Sequence, residues 1–158
     1  MGLPYVDAIE DRYTVYDFLR KLDLGRITLD VEENIKSSDS EDLPEDFVED
    51  VWDTDAMSTY IEAILCFFPL QPLLLHRGAN GTLRVIDGRK RVHVLEAFRS
   101  GTFRLQGLTI CPELNGRYFE DLEEHFRAHF EDTTLNVQIL RPSVPQHLAD
   151  AIVRYNNR

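Results

Sequence analysis

The 158-residue sequence is long enough to bury a substantial hydrophobic core and reads most simply as one domain. Its 43% hydrophobic content carries no collagenous or low-complexity bias, and the longest apolar stretch, 63–75, is broken by Pro69, Gln71 and Pro72, which excludes a membrane span. The opening residues lack the basic and apolar regions of a signal peptide. Cys66 and Cys111 have neither a metal-ligand spacing nor a disulfide framework, as expected for a reducing cytoplasm, and both read as small, buried or half-buried hydrophobes.

Along the chain, Thr14 and Asp17 make a capping-box-like start to a first helix. Val15, Phe18, Leu19 and Leu22 keep helical spacing, and Gly25 suits the position just past its end. Ile27, Leu29 and Val31 alternate as a short strand does. Residues 32–46 are acidic, loop-like and expected to be mobile. A second helix is expected to begin near Asp53–Asp55, with Met57, Tyr60, Ile61, Ile64, Leu65 and Phe68 on its apolar face and Pro69 as its stop. Trp52, the one tryptophan, is expected to anchor the end of the acidic loop to the core.

Residues 72–77 then read as a buried strand, Ala79-Asn80-Gly81 as a hairpin turn and 82–86 as the returning strand. A helix follows over 89–99, ended by Ser100-Gly101. A short strand around 105–110 precedes a turn at Asn115-Gly116. Tyr118, Phe119, Leu122, Phe126 and Phe130 mark one further amphipathic helix. Leu135, Val137 and Ile139 alternate as a strand, and Leu148, Ala151, Ile152 and Tyr155 share one side of a last helix. The elements predict a single α/β (α+β) domain over 1–158, with a small, mixed, mostly antiparallel sheet and flanking helices.

The most informative stretch is 83–98, a strand, a two-residue turn and the opening of a helix. Asp87, Gly88, Arg89, Lys90 and Arg91 crowd that turn. A strand-to-helix junction points free backbone N–H groups and the positive end of a helix at one spot, a ready phosphate site. Three cations there would add charge-assisted donors, and they are unfavourable at a helix N-terminus without an anion. The plain alternative is that Asp87 caps the helix and Gly88 supplies backbone freedom. No Walker-type loop and no Gly-x-Gly-x-x-Gly fingerprint is present, so a nucleotide site here is of another kind.

The net charge of −11 is unevenly placed. Residues 30–55 hold 12 acids and one base, Lys36, so the rest of the chain is neutral. Residues 76–104 hold seven Lys or Arg against Asp87 and Glu96, a local excess of +5. Screening limits electrostatic reach to roughly 8–10 Å at physiological salt, so this local excess governs which partner the turn attracts. The acidic stretch is a solvated loop or an interaction element that covers the turn, mimics nucleic acid or helps hold Mg²⁺.

Other chemistry is thinly signalled. His125 and His129 have the i, i+4 spacing of a metal pair, with Asp121 one turn earlier, but no further ligand is in sight, so they read as exposed helix residues and no metal site is expected. His93 approaches a ligand or serves helix packing. Neither cysteine sits at a helix start, where a nucleophile would be activated.

Taken together, Val51-Trp52-Asp53, Tyr60-Ile61-Glu62-Ala63-Ile64-Leu65, Pro69 with Leu73-Leu74-Leu75, and Val85-Ile86-Asp87-Gly88-x-x-Arg91 resemble the GmrSD-type N-terminal domain of modification-dependent restriction and other antiviral systems. That domain is related in fold to the ParB/sulfiredoxin group of small nucleotide-binding domains. The resemblance covers roughly 14–157 and extends to Ile152-Val153-Arg154-Tyr155-Asn156, like the family's Ile-x-x-x-Asn segment. It implies binding of a nucleoside triphosphate, with Mg²⁺ as an accompanying ion, at Asp87, Gly88 and Arg91, and hydrolysis that licenses DNA cleavage by a partner nuclease.

Two departures stand out. Arg89-Lys90 replaces the family's Gln-Gln, and Phe47-Val48 stands where the family has Gln-Arg, which removes a phosphate contact and places hydrolysis in question. Nothing resembling the family's HNH nuclease occurs within the 158 residues, so the chain reads as a standalone domain, a fragment, or a subunit whose nuclease subunit or domain acts in trans. Direct DNA binding through the basic patch is a weaker expectation, set against the acidic loop. The alternative reading is a catalytically degenerate protein- or nucleic-acid-interaction module of the same fold.

Overall fold

The computed structural model describes residues 6–29 and 52–157, and no helix among them is long and apolar enough to cross a membrane. The expectations for Val31, the acidic segment 32–46 and Phe47-Val48 lie outside the described residues. The chain is mixed α/β and divides into two compact units that alternate along the sequence. The first takes residues 6–29, 70–89 and 131–157, and the second takes 52–69 and 90–130.

The first unit holds a five-stranded sheet: β1 (Ala8–Thr14), β2 (Ile27–Thr28), β3 (Leu73–Arg77), β4 (Leu83–Asp87) and β5 (Thr134–Leu140), in the order β1-β5-β3-β4-β2. β1–β5 and β3–β4 are antiparallel, whereas β3–β5 and β2–β4 are parallel. The antiparallel ladders supply most of the paired positions, as the sequence predicts. Period-2 patterning puts Leu73 beside Val137 and Leu75 beside Ile139, all buried on one face. Leu74 and Leu140 lie on the other face in a cluster with Val144 and Ala149, where α5 (Gln146–Asn156) adds Leu148, Ile152 and Val153.

β1 carries no clear strand signal. Its burial alternates weakly, and Glu10, Asp11 and Arg12 are all exposed. Asp and Glu are poor strand formers, and pairing with β5 supplies what propensity does not. In α5 the expected apolar side holds for Leu148, Ala151 and Ile152, which are half-buried, and fails for Tyr155. Ala149 is the buried residue and Tyr155 is 72% exposed.

α1 (Val15–Asp23) starts where Thr14 accepts a hydrogen bond from the Asp17 amide at 3.0 Å. It ends with Gly25 at φ 75° while the Arg26 amide reaches back to the Lys21 carbonyl, so the C-terminal glycine plays its expected part.

The second unit holds α2 (Thr54–Leu65), most of α3 (Arg89–Arg99) and α4 (Glu124–Asp132). Asp53 caps α2 by accepting from the Ala56 amide at 2.8 Å. The helix stops before Pro69 takes effect. Phe67 adopts φ 62°, the Phe67 amide bonds the Ile64 carbonyl and the Phe68 amide bonds the Ala63 carbonyl. That is a Schellman end with phenylalanine in the left-handed position where α1 uses glycine.

Phe98 centres the core of this unit, with ring centroids 5.5 Å from Phe103, 5.8 Å from Phe119 and 5.5 Å from Phe130. Two expectations fail here. Residues 105–110 form no strand, because their amides bond elsewhere: Gln106 to Ser58, Leu108 to Asn115, Ile110 to Glu62. The expected single helix over 118–130 is a 3-10 turn, Phe119–Asp121, followed by α4. The Asp121 carboxylate accepts from the Tyr118 amide and caps the start of that turn, which ends where Leu122 becomes extended.

Candidate functional site

The turn read as a phosphate site has the expected backbone. Asp87 ends β4, α3 begins at Arg89, and Gly88 alone links them, a single residue where two were expected. Gly88 has φ 102°, a conformation that side chains rarely adopt, so the reversal from strand to helix at this point requires glycine. Asp87, Gly88, Arg89, Lys90 and Arg91 are all half-buried.

Each charged group has a defined neighbour. The Asp87 carboxylate accepts from the Asn156 amide nitrogen at 3.3 Å, which ties the end of α5 to the end of β4. The Arg89 guanidinium donates to the Leu29 carbonyl, just past β2, and that contact commits part of its donor set to the fold. Arg84, on β4, donates to the Gln146 side chain at 2.7 Å, and Gln146 in turn donates to Asp150.

Within the second unit, Arg91 acts on Tyr60 of α2. Burial pushes the Tyr60 phenol above its ordinary value of 10.0, and the nearby guanidinium pulls it partly back. The Trp52 ring meets Tyr60 edge-on, at 5.9 Å and 73°, so Trp52 packs on α2, whereas the acidic loop it was expected to anchor lies outside the described residues. Tyr60 and Asn156 are the neighbours that sequence reasoning did not assign to the site. Tyr60 was legible as part of an apolar helix face and of the motif 60–65, and Asn156 as the end of the Ile-x-x-x-Asn segment, without a sign of what either contacts.

The other candidates disperse. His93 is exposed and does not serve helix packing. His125 stacks on Phe126 at 4.1 Å and faces Glu123, while the Nε2 of His129 bonds the Ile64 carbonyl at 2.8 Å. Those two imidazoles therefore serve separate ends, and among the described residues no group of three or more His, Cys, Asp or Glu converges to hold a metal. Asp87 offers a single carboxylate. It fits a water or a cation already carried by a phosphate and is too little to hold a cation by itself.

A polar groove of about 590 Å³ lies on the sheet of the first unit, lined by Glu10, Asp11, Arg12, Asn136 and Gln138 among others. Acids outnumber the one cation there, so its charge does not favour an anion. No family model, no curated protein and no solved structure matches the chain.

Proposed function

We propose that the chain binds the phosphates of a nucleoside triphosphate at Asp87-Gly88-Arg89-Lys90-Arg91. In this reading it acts as a nucleotide-binding, NTP-hydrolysing domain of a restriction-like or antiviral defence system, working with a nuclease subunit in trans. The observation that carries the proposal is the half-buried cationic turn at the start of α3, set on a glycine of positive φ. Like charges gathered at the positive end of a helix attract an anion to that spot. Arg91 and Lys90 would bind the phosphates, and the remaining Arg89 donors would add to them. Asp87, oriented by Asn156, would position the attacking water or a phosphate-bound Mg²⁺. The motif resemblance at 85–91 gives the reading its substrate class.

The test is a titration of nucleoside triphosphates against the wild-type protein and Arg91→Ala, with phosphate release followed in parallel. The proposal expects affinity to fall at least about tenfold in the variant, in keeping with loss of a charge-assisted contact. Equal affinity and equal turnover in the two proteins would count decisively against the turn.

Phe47-Val48 in place of Gln-Arg favours a second reading, in which the turn is catalytically degenerate and the chain is a protein- or nucleic-acid-interaction module. That reading expects no phosphate release with any nucleotide, and partner binding that is lost when 32–50 is deleted. Binding that survives the deletion rejects it.

A further inference from the structure

The two cysteines, 45 positions apart in sequence, place their sulfurs 3.5 Å from each other. Both are half-buried and unbonded, so a small oxidant can reach them. Each lies at the edge of an element, where backbone angles adjust without breaking a ladder. Cys66 caps the C-terminal end of α2, and Cys111 stands immediately before the 3-10 turn Pro112–Leu114. The loop is held against the helix by Glu62 of α2, whose carboxylate accepts from the amides of Ile110 and Cys111. Closure to a bonded pair requires the sulfurs to move from van der Waals contact to about 2.05 Å.

We propose that Cys66 and Cys111 form a reversible intramolecular disulfide when the protein meets a peroxide, a modification site that clasps the end of α2 to the 110–114 loop. The inference is independent of the nucleotide reading. The chemistry balances with hydrogen peroxide as oxidant. The Cys66 thiolate attacks one peroxide oxygen, the O–O bond breaks, and the departing hydroxide takes a proton to become water. Cys66 is left as a sulfenic acid. The Cys111 sulfur then attacks the Cys66 sulfur, the S–S bond forms and the S–O bond breaks, and the oxygen leaves as a second water with the Cys111 proton. Each sulfur has given up one electron, and the peroxide has accepted both. Burial and the hydrogen bond with Cys66 push the Cys111 thiol up to about 11. The two thiols are in mutual contact, and the same sequence begun at Cys111 gives the same disulfide.

The test treats the purified protein with hydrogen peroxide, blocks remaining thiols with iodoacetamide, and maps peptides without reductant. The expected product is a monomer about 2 Da lighter, with the Cys66 and Cys111 peptides linked and dithiothreitol releasing them. Closure should run at least about tenfold faster in the folded protein than in urea, because the fold supplies the proximity. Cys111→Ser should trap a dimedone-reactive sulfenic acid on Cys66. Folding of that variant is checked by circular dichroism, and the wild-type peptide map decides the matter if it does not fold. The proposal is overturned if both thiols stay alkylatable, if oxidation adds oxygens without a cross-link, if covalent dimers form instead, or if urea leaves the rate unchanged.

Discussion

One oxygen of the Glu62 carboxylate accepts the amide hydrogens of both Ile110 and Cys111, each at 2.9 Å, on a side chain only 5% exposed. A buried carboxylate is tolerated where N–H groups replace the water it gives up. Those two bonds also explain why 105–110 is irregular. Its amides turn toward α2 and do not join a neighbouring strand.

Glu62→Ala should therefore destabilise the protein by about 2–4 kcal/mol, since two amides lose their acceptor and a cavity opens beside them. Glu62→Gln keeps an acceptor oxygen in place and should cost about half as much. Urea denaturation of both variants checks this. Equal loss in the two would mean that the carboxylate matters for its volume and not for the hydrogen bonds.

Phe67 occupies the left-handed position at the end of α2 and is 78% exposed, with its ring 3.8 Å from that of His129. A side chain at positive φ costs about 1–2 kcal/mol, offset here by the stacking. Phe67→Gly and Phe67→Ala remove the same stacking, but only glycine relieves the backbone. The glycine variant should be the more stable of the two by about 1 kcal/mol in thermal or urea melts.

Tyr60 makes a prediction at alkaline pH. Its folded phenol titrates above the ordinary 10.0, chiefly from burial, so between the unfolded and folded values the folded state holds the proton that the unfolded state has lost. The stability that Tyr60 contributes is complete below pH 10 and declines as pH rises through the folded value. Tyr60→Phe should flatten that decline. Arg91→Ala should raise the phenol further, because it removes the one group pulling it down. Absorbance titration of the phenolate reads both effects.

Asn156 is expected to act as a positioning residue for Asp87. With nucleotide bound at the turn, Asn156→Ala should slow phosphate release about tenfold while changing nucleotide affinity less than about threefold. Asn156→Asp should be worse in turnover, since two carboxylates then face each other. Parallel loss of affinity and rate would place Asn156 in binding instead.

Elements with strong local rules were legible from the sequence. Thr14, Asp53 and Gly25 announced helix ends with specific chemistry, and the structure places each in that part. The hairpin at 78–82 and the start of α3 at Arg89 were equally clear, because Asn-Gly and Asp-Gly have few conformations to choose from. What escaped depends on partners distant in sequence. β1 is a strand because β5 pairs with it, and 105–110 is not one because Glu62, Ser58 and Asn115 capture its amides. At the turn the five residues were readable as a motif, whereas Asn156 and Tyr60 became its neighbours only through the folded chain. The contact between Cys66 and Cys111 had no signal in spacing at all.

The antiparallel partnership of Ala8–Thr14 with Thr134–Leu140 has a consequence for biogenesis. During synthesis this strand emerges from the ribosome long before β5, its one sheet neighbour among the described residues, exists, and in the interval its amides are left to water or to chaperones. The sheet is completed only once Thr134–Leu140 has been made, far along the chain from the strand it joins. Slow, late-closing assembly is the expected outcome, with nascent chains stalled before Thr134 the most aggregation-prone species.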